Sequence, residues 1–538
     1  MAEDMAQPPV LVCPTLPVNN LRCIRMAALS NDLFDLIHSM SAPEKAYFKR
    51  YGYKTGARRQ AYLDLFDAVE KQESFNEAAL RKKFAPPKGF KSLSSAKNHL
   101  YHQVLHSLME YNADKSGEDQ VIQLMQEVWF LKNRGLEDQC AKRLKVAWKT
   151  IAEQDQQAFS PALFPAEFAL IPYAEQGFID RFTALEREKH TLALLQNQNE
   201  YSHLYARMTQ MVSTWGVIVR DPRHIEAVES VLAHPLLQEE SLALSFQAKY
   251  MLHSVNKILN QVICRYDTAL EHARKAVLLH ERFPELLSRH HRSYLMSLFN
   301  LLNDLVGGGK FEEFEMWKDR IHSVVSALPD SGFKIESEAN LTCRIVYKEI
   351  LFRNYQAAFH EVGPLIKGLD RFAFQPHLSI QHRYLIACAA FYTGRLEEAH
   401  SWIAGLLADE HLEHYRDFFS FALILNLIIH LELGHREHLA YARERVYRMF
   451  SKRDMLFEVE RIFLAFLRRY ERIPEDPSVL RKAFEELRDQ LLPLQGDAYE
   501  RNAFDYFDFL VWLDARIQHK TMLEAAEEWR GKFALRPA

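Results

Sequence analysis

Apolar residues recur along much of this chain in steps of three and four. Leu244, Ala248, Leu252, Val255, Leu259 and Val262 step by 4, 4, 3, 4 and 3. Phe311, Phe314, Trp317, Ile321 and Val324 step by 3, 3, 4 and 3, and Leu396, Ala399, Ile403 and Leu406 by 3, 4 and 3. Such spacings put the apolar groups on one stripe of an α-helix. Short turn signals separate these helices: Arg134-Gly135-Leu136, Gln176-Gly177-Phe178, Asp221-Pro222-Arg223, Arg265-Tyr266-Asp267 and Gly309-Lys310-Phe311. They continue as Asn354-Tyr355-Gln356, Gly394-Arg395-Leu396 and Gly434-His435-Arg436, with weaker signals at Pro474-Glu475-Asp476 and near Lys520. Markers at 136, 178, 223, 266, 311, 355, 396, 435, 476 and 520 are 39 to 45 residues apart. A steady interval of that length predicts a solenoid of helix pairs, in which neighbours bury the stripe that one pair leaves bare.

Small residues sharpen this reading. Gly394-Arg395-Leu396-Glu397-Glu398-Ala399, preceded by Ile386-Ala387 and followed by Ile403 and Leu406, resembles a tetratricopeptide repeat, as does Tyr266-Asp267-Thr268-Ala269 with Ala273 and Ala276. Alanine at those places lets two helices approach closely, and glycine turns the chain between them. Asn354-Tyr355-Gln356-Ala357-Ala358 keeps part of the pattern, whereas the units at Phe178 and Arg223 keep little. The interval also exceeds the usual 34 residues. The resemblance covers roughly residues 116–538 and implies an all-α fold, a right-handed tetratricopeptide-like α-α solenoid with lengthened helices.

The period fails before residue 116. Residues 1–28, with Pro8, Pro9, Pro14 and Pro17, read as a disordered tail without a signal-peptide pattern. Residues 29–115 read as a small helical module. Asn31 is a helix cap, Ser41-Ala42-Pro43-Glu44 a capping box, and Asn76 the cap of a short helix through Phe84. Ala85-Pro86-Pro87-Lys88-Gly89 breaks the chain before a long helix capped by Ser94 or Ser95. In outline the module resembles uncharacterised bacterial proteins, which implies no activity.

Composition narrows the function classes. Glycine is only 18 of 538 residues, which suits a chain that is helical almost throughout. Net charge is −4, which by itself implies neither a nucleic-acid nor a membrane partner. Residues 41–115 nevertheless hold 14 Lys/Arg against 8 Asp/Glu. Lys82, Lys83, Lys88, Lys91 and Lys97 cluster around the break and are the candidate phosphate contacts. Six cysteines with no close pair suit a reducing compartment, so a cytoplasmic location is expected. Phe418–Leu433 is the most apolar run, but Asn426, His430 and Glu432 interrupt it, so a buried helix is expected rather than membrane insertion.

No catalytic residue, metal site or cofactor site emerges. Gly307-Gly308-Gly309-Lys310 is followed by Phe311 where a phosphate-binding loop needs Ser or Thr. His102 and His106, with His99 and Glu110 nearby on the helix, lack the general base of a metalloprotease pattern and read as an exposed face. A more informative set lies in the first helix of each pair, where Asn256, Asn260, Asn300, Asn303, Asn340, Arg344, Tyr347 and Asn426 interrupt apolar stretches. Asparagine is a poor helix former, so its repetition there asks for a reason. In tetratricopeptide arrays the first helices line a groove. The resemblance implies that these amides hydrogen-bond an extended peptide while Arg344 pairs a carboxylate. The expected function is a non-enzymatic scaffold for a protein or peptide partner. The alternative is a nucleic-acid-linked regulator acting through the basic module.

Overall fold

The computed structural model describes residues 32–52, 59–86, 90–112, 117–171, 180–216, 219–287, 290–328, 332–369, 376–497 and 499–532. The expected tail, Asn31, Lys88 and the marker at 178 lie outside them. Helices and turns make up the described residues, with no strand among them. The chain divides into two compact units, residues 1–150 with 165–172 and residues 151–164 with 173–538. The first unit therefore extends beyond the 115/116 boundary expected from the period.

In the first unit, α1 (Asp32–Ser39), α2 (Ala42–Tyr47), α3 (Arg59–Glu70), α4 (Glu77–Lys83) and α5 (Leu93–Asn112) share one core around Leu33, Ile37, Phe48, Phe66, Leu80 and Leu100. Local chemistry sets the helix starts. The Ser41 backbone N–H donates to Glu44 Oε2 at 2.8 Å, closing the capping box, and Ala79 N–H donates to Asn76 Oδ1 at 3.0 Å. Then come α6 (Gly117–Asn133), α7 (Glu137–Glu153) and α8 (Phe164–Leu170).

The second unit holds the paired helices: α9 (Arg181–Trp215), α10 (Pro222–Leu232), α11 (Phe246–Val262), α12 (Tyr266–Arg282), α13 (Pro284–Leu287), α14 (His291–Gly307), α15 (Phe311–Ser326) and α16 (Gly332–Leu351). They continue as α17 (Tyr355–His360), α18 (Val362–Gly368), α19 (Pro376–Tyr392), α20 (Leu396–Leu407), α21 (Arg416–Glu432), α22 (Arg436–Lys452), α23 (Glu458–Tyr470) and α24 (Pro477–Leu491). The chain closes with α25 (Ala503–Tyr506), α26 (Phe509–Gln518) and α27 (Met522–Lys532). Sequence neighbours pack on each other, and the first helices also pack in a row, α14 on α16, α16 on α19 and α19 on α21. Ala269, Ala273 and Ala276 are buried on α12, which packs against both α11 and α14. The α17–α18 break falls just before Gly363-Pro364, where proline cannot donate to the carbonyl of residue 360.

One turn is built six times ahead of an α-helix that starts two residues on, and Asp155, Asp454 and His519 end their helices with the same bond. Gly135, Cys264, Gly309, Arg353, Gly394 and Gly434 all have φ between +60° and +78°. The next residue's N–H reaches back to a carbonyl five residues earlier: Arg265 to Asn260, Lys310 to Leu305, Asn354 to Glu349, Arg395 to Ala390, His435 to His430, and Leu136 to Leu131, at 2.8–3.1 Å. A second helix starts one residue later, at Glu137, Tyr266, Phe311, Tyr355, Leu396 and Arg436. This is the Schellman ending, which satisfies the last carbonyls of one helix while aiming the chain into the next.

Candidate functional site

The expected asparagine row divides by environment. Asn256 is buried, and its amide donates to Leu252 O and, across the chain, to Leu237 O, both at 3.1 Å. Asn260 donates to Asn256 O at 2.8 Å, and Asn340 to Glu336 O at 3.0 Å. These three amides are spent on backbone carbonyls, mostly those of their own helix. Asn300, Asn303 and Asn426 are half-buried and keep unspent hydrogen-bonding capacity. Arg344 is buried on α16, and the half-buried Tyr347 follows one turn later.

Another feature dominates the second unit. The segment 499–508, between α24 and α26, joins residues that lie far away in sequence. Arg220 Nη1 donates to Glu460 Oε1 and Oε2 at 3.0 and 2.9 Å and reaches Glu500 Oε2 at 3.4 Å. Glu500 in turn accepts from the Glu458 and Val459 N–H groups, capping the start of α23. Tyr266 Oη donates to Asn502 Oδ1 at 2.8 Å, and the Asn502 amide donates to Cys264 Sγ. Tyr384 Oη donates to the Tyr506 carbonyl at 3.0 Å, while the Asp508 N–H donates to Tyr392 Oη at 2.9 Å. Asp508 Oδ2 accepts from Arg353 Nε at 2.7 Å and from Tyr355 Oη at 2.9 Å. Ring stacking completes the junction, with Phe421 on Tyr506 at 4.5 Å and Tyr355 on Tyr392 at 4.3 Å between centroids.

An open one-dimensional array brings each repeat against its neighbours only. Here residues 240 and 280 positions apart meet, and α27 packs against α17. Burial dominates the electrostatics. It pushes the Glu460 carboxyl up despite Arg220. For Arg220 burial opposes the charge, and Glu460, Glu500 and Asp417 outweigh it. Tyr355, Tyr384, Tyr392 and Tyr506 are all raised by burial, so their hydroxyls stay protonated. Gly216 serves the same region. Its φ is +91°, and a Cβ there would stand 2.5 Å from Asp417 Oδ2.

Sequence reasoning missed this junction. Two of the left-handed positions that lack glycine, Cys264 and Arg353, lie beside it. Both side chains contact the 499–508 segment.

The lysine cluster also divides. Lys82, Lys83 and Lys91 are exposed. Lys97 is buried, 3.3 Å from Glu77 and over the Phe75 ring, and is thus withdrawn from any outside phosphate. Among the described residues, no group of three or more His, Cys, Asp or Glu side chains is placed to hold a metal ion, and no helix is long and apolar enough to cross a membrane. Cys140, Cys264, Cys343 and Cys388 are free. Comparison with family models, curated proteins and solved structures yields no match.

Proposed function

We propose that this chain is a non-enzymatic, cytoplasmic scaffold that binds a protein or peptide through the first helices of a tetratricopeptide-like array. One observation carries the reading. The first helices already hold a stretch of their own chain, the turn and short helix of residues 499–508, through hydroxyls that bond its main chain: Tyr384 to the Tyr506 carbonyl and Tyr392 to the Asp508 N–H. A surface that reads backbone in cis has the chemistry to read it in trans. The six-fold Schellman turn and the run of first helices support the repeat reading. Asn300, Asn303 and Asn426 are the amides left to meet a partner, whereas Asn256, Asn260 and Asn340 serve their own helices.

The test is affinity capture with the full chain, compared between wild type and Asn300→Ala/Asn303→Ala. Loss of captured partner with an unchanged thermal melt is expected. Asn256→Ala should instead lower the melt, because the Leu237 carbonyl loses its donor. Unchanged capture by the Asn300/Asn303 variant overturns the groove reading. Exposed Lys82, Lys83 and Lys91 keep a second reading in view, contact with nucleic acid by the first unit. Salt-sensitive retention of the full chain on duplex DNA or RNA, abolished by replacing these three with glutamine, is the result that favours it.

A further inference from the structure

Histidines gather at one of the repeated turns. In each of the six, a backbone bond ties the residue after the left-handed position to the residue five places earlier. The tie brings the two side chains together, as Asn354 shows by donating through its amide to Glu349 Oε2 at 2.8 Å. At the Gly434 turn both positions are histidine. The His435 N–H donates to the His430 carbonyl at 3.0 Å, and the two Nδ1 atoms stand 3.2 Å apart. Two further imidazoles close in. His400 on α20 lies 5.1 Å from the His430 ring, and His438 on α22 lies 6.3 Å from His430 and 6.2 Å from His435, between centroids. His435 and His438 are exposed, while His400 and His430 are half-buried, so the group opens to solvent.

The donors at this turn are imidazoles. Glu432, the carboxylate inside the turn, faces the other way and accepts from Trp512 Nε1 at 2.8 Å and Arg516 Nη1 at 3.3 Å. The Arg436 guanidinium is drawn off over the Tyr470 ring, 3.4 Å from Glu475. Magnesium and calcium take oxygen ligands, whereas neutral imidazole suits zinc, copper(II) and nickel(II). Two nitrogens each about 2.0–2.1 Å from a tetrahedral zinc ion lie about 3.3 Å apart, a spacing the Nδ1 pair already has. A second pair, His253 and His272, shows the same 3.2 Å separation, but His253 is buried and the charges of Lys249 and Lys275 bear on it, which repels a cation.

We propose that the Gly434 turn is a site for one divalent transition-metal ion of the zinc class, held by His430 Nδ1 and His435 Nδ1. Both rings then carry their proton on Nε2. His438, exposed in the first turn of α22, swings in as the third ligand, since among the described residues no three donors converge as they stand. Water fills the remaining position. The ion pins the end of α21 to the start of α22, and the site does not depend on the scaffold reading.

The test is equilibrium dialysis of the full chain, stripped with a chelator, against zinc chloride at neutral pH. Wild type is compared with His430→Gln/His435→Gln, with His438→Gln and with His102→Gln/His106→Gln, an exposed histidine pair on α5. Wild type should bind a single tight equivalent. His430→Gln/His435→Gln should lose it or hold it at least about tenfold more weakly, His438→Gln should weaken it by a smaller factor, and the α5 variant should keep it. Zinc should also raise the melting temperature of wild type and leave that of His430→Gln/His435→Gln unchanged. Equal binding by wild type and that variant overturns the site, as does no binding by wild type or loss of the equivalent in the α5 variant. Undiminished affinity in His438→Gln overturns its place as third ligand. If the double variant does not fold, undiminished binding by His435→Gln, a change at an exposed residue, overturns the assignment.

Discussion

Four of the six repeated turns carry glycine at the left-handed position, and two carry a side chain. At Gly309, Gly394 and Gly434 a Cβ would meet nothing within 4 Å, so glycine is there for its φ rather than for space. At Cys264 and Arg353 the chain accepts φ of +62° and +60° with a side chain attached. Such a conformation costs on the order of 1 kcal/mol. The offsetting gain is visible. The Cys264 thiol accepts from Asn502, and Arg353 pairs Asp508 and lies over the Trp529 ring. Glycine turns only redirect the chain. The other two redirect it and also fasten it to the 499–508 segment.

Four perturbations bear on this contrast. Acid is expected to act most strongly, on the helices rather than the turns. Burial pushes His253 and His382 down to about 3 and His280 to about 4. An imidazole depressed in the fold but near 6.5 when unfolded contributes stability above that pH and loses it as pH falls. Each costs up to roughly 1.4 kcal/mol of stability per pH unit below 6.5. Asp304, raised by burial to about 6, works in the opposite direction between about 4 and 6 and is outweighed three to one. Chemical denaturation at pH 7 and pH 5 should show a marked loss at pH 5, and equal stability would contradict these burials.

Next in size is Arg220→Met. It leaves Glu460 and Glu500 together without their cation and should cost about 3–5 kcal/mol. A near-neutral result in urea denaturation would mean that the junction adds nothing to the fold. The turn contrast itself is tested by Arg353→Gly. Relief of φ alone predicts a gain of about 1 kcal/mol, but loss of the Asp508 pair predicts a net loss of about 1–2 kcal/mol. A net gain would refute the fastening role. Smallest is Gly394→Ala, which should cost about 1 kcal/mol through φ alone, with binding unchanged. A neutral result there would make the two kinds of turn equivalent.

Much of the fold was legible in sequence because helical periodicity and turn chemistry are local. The markers at 266, 311, 355 and 396 are themselves the first residues of helices, and the capping box at Ser41 sits where its residues predict. The junction was not legible. Tyr-Glu-Arg-Asn-Ala-Phe-Asp-Tyr-Phe-Asp at 499–508 carries no period of its own, and its partners lie up to 280 residues away. The asparagine row was recognised as polar residues inside apolar helices. Sequence alone could not tell an amide bonded to its own helix, such as Asn340, from one with capacity to spare, such as Asn300. One helix position turns a side chain by about 100°, and that decides the difference.

Hydrogen exchange on the Asn502→Ala/Asp508→Ala variant tests most directly whether segment 499–508 binds the repeats into one cooperative unit. The account predicts protection lost in α11–α12 together with the α16–α17–α19 group, two regions far apart in sequence that this segment joins. Loss confined to α24–α27, with α11–α12 protected as in wild type, would show an array held by nearest neighbours alone and would contradict it.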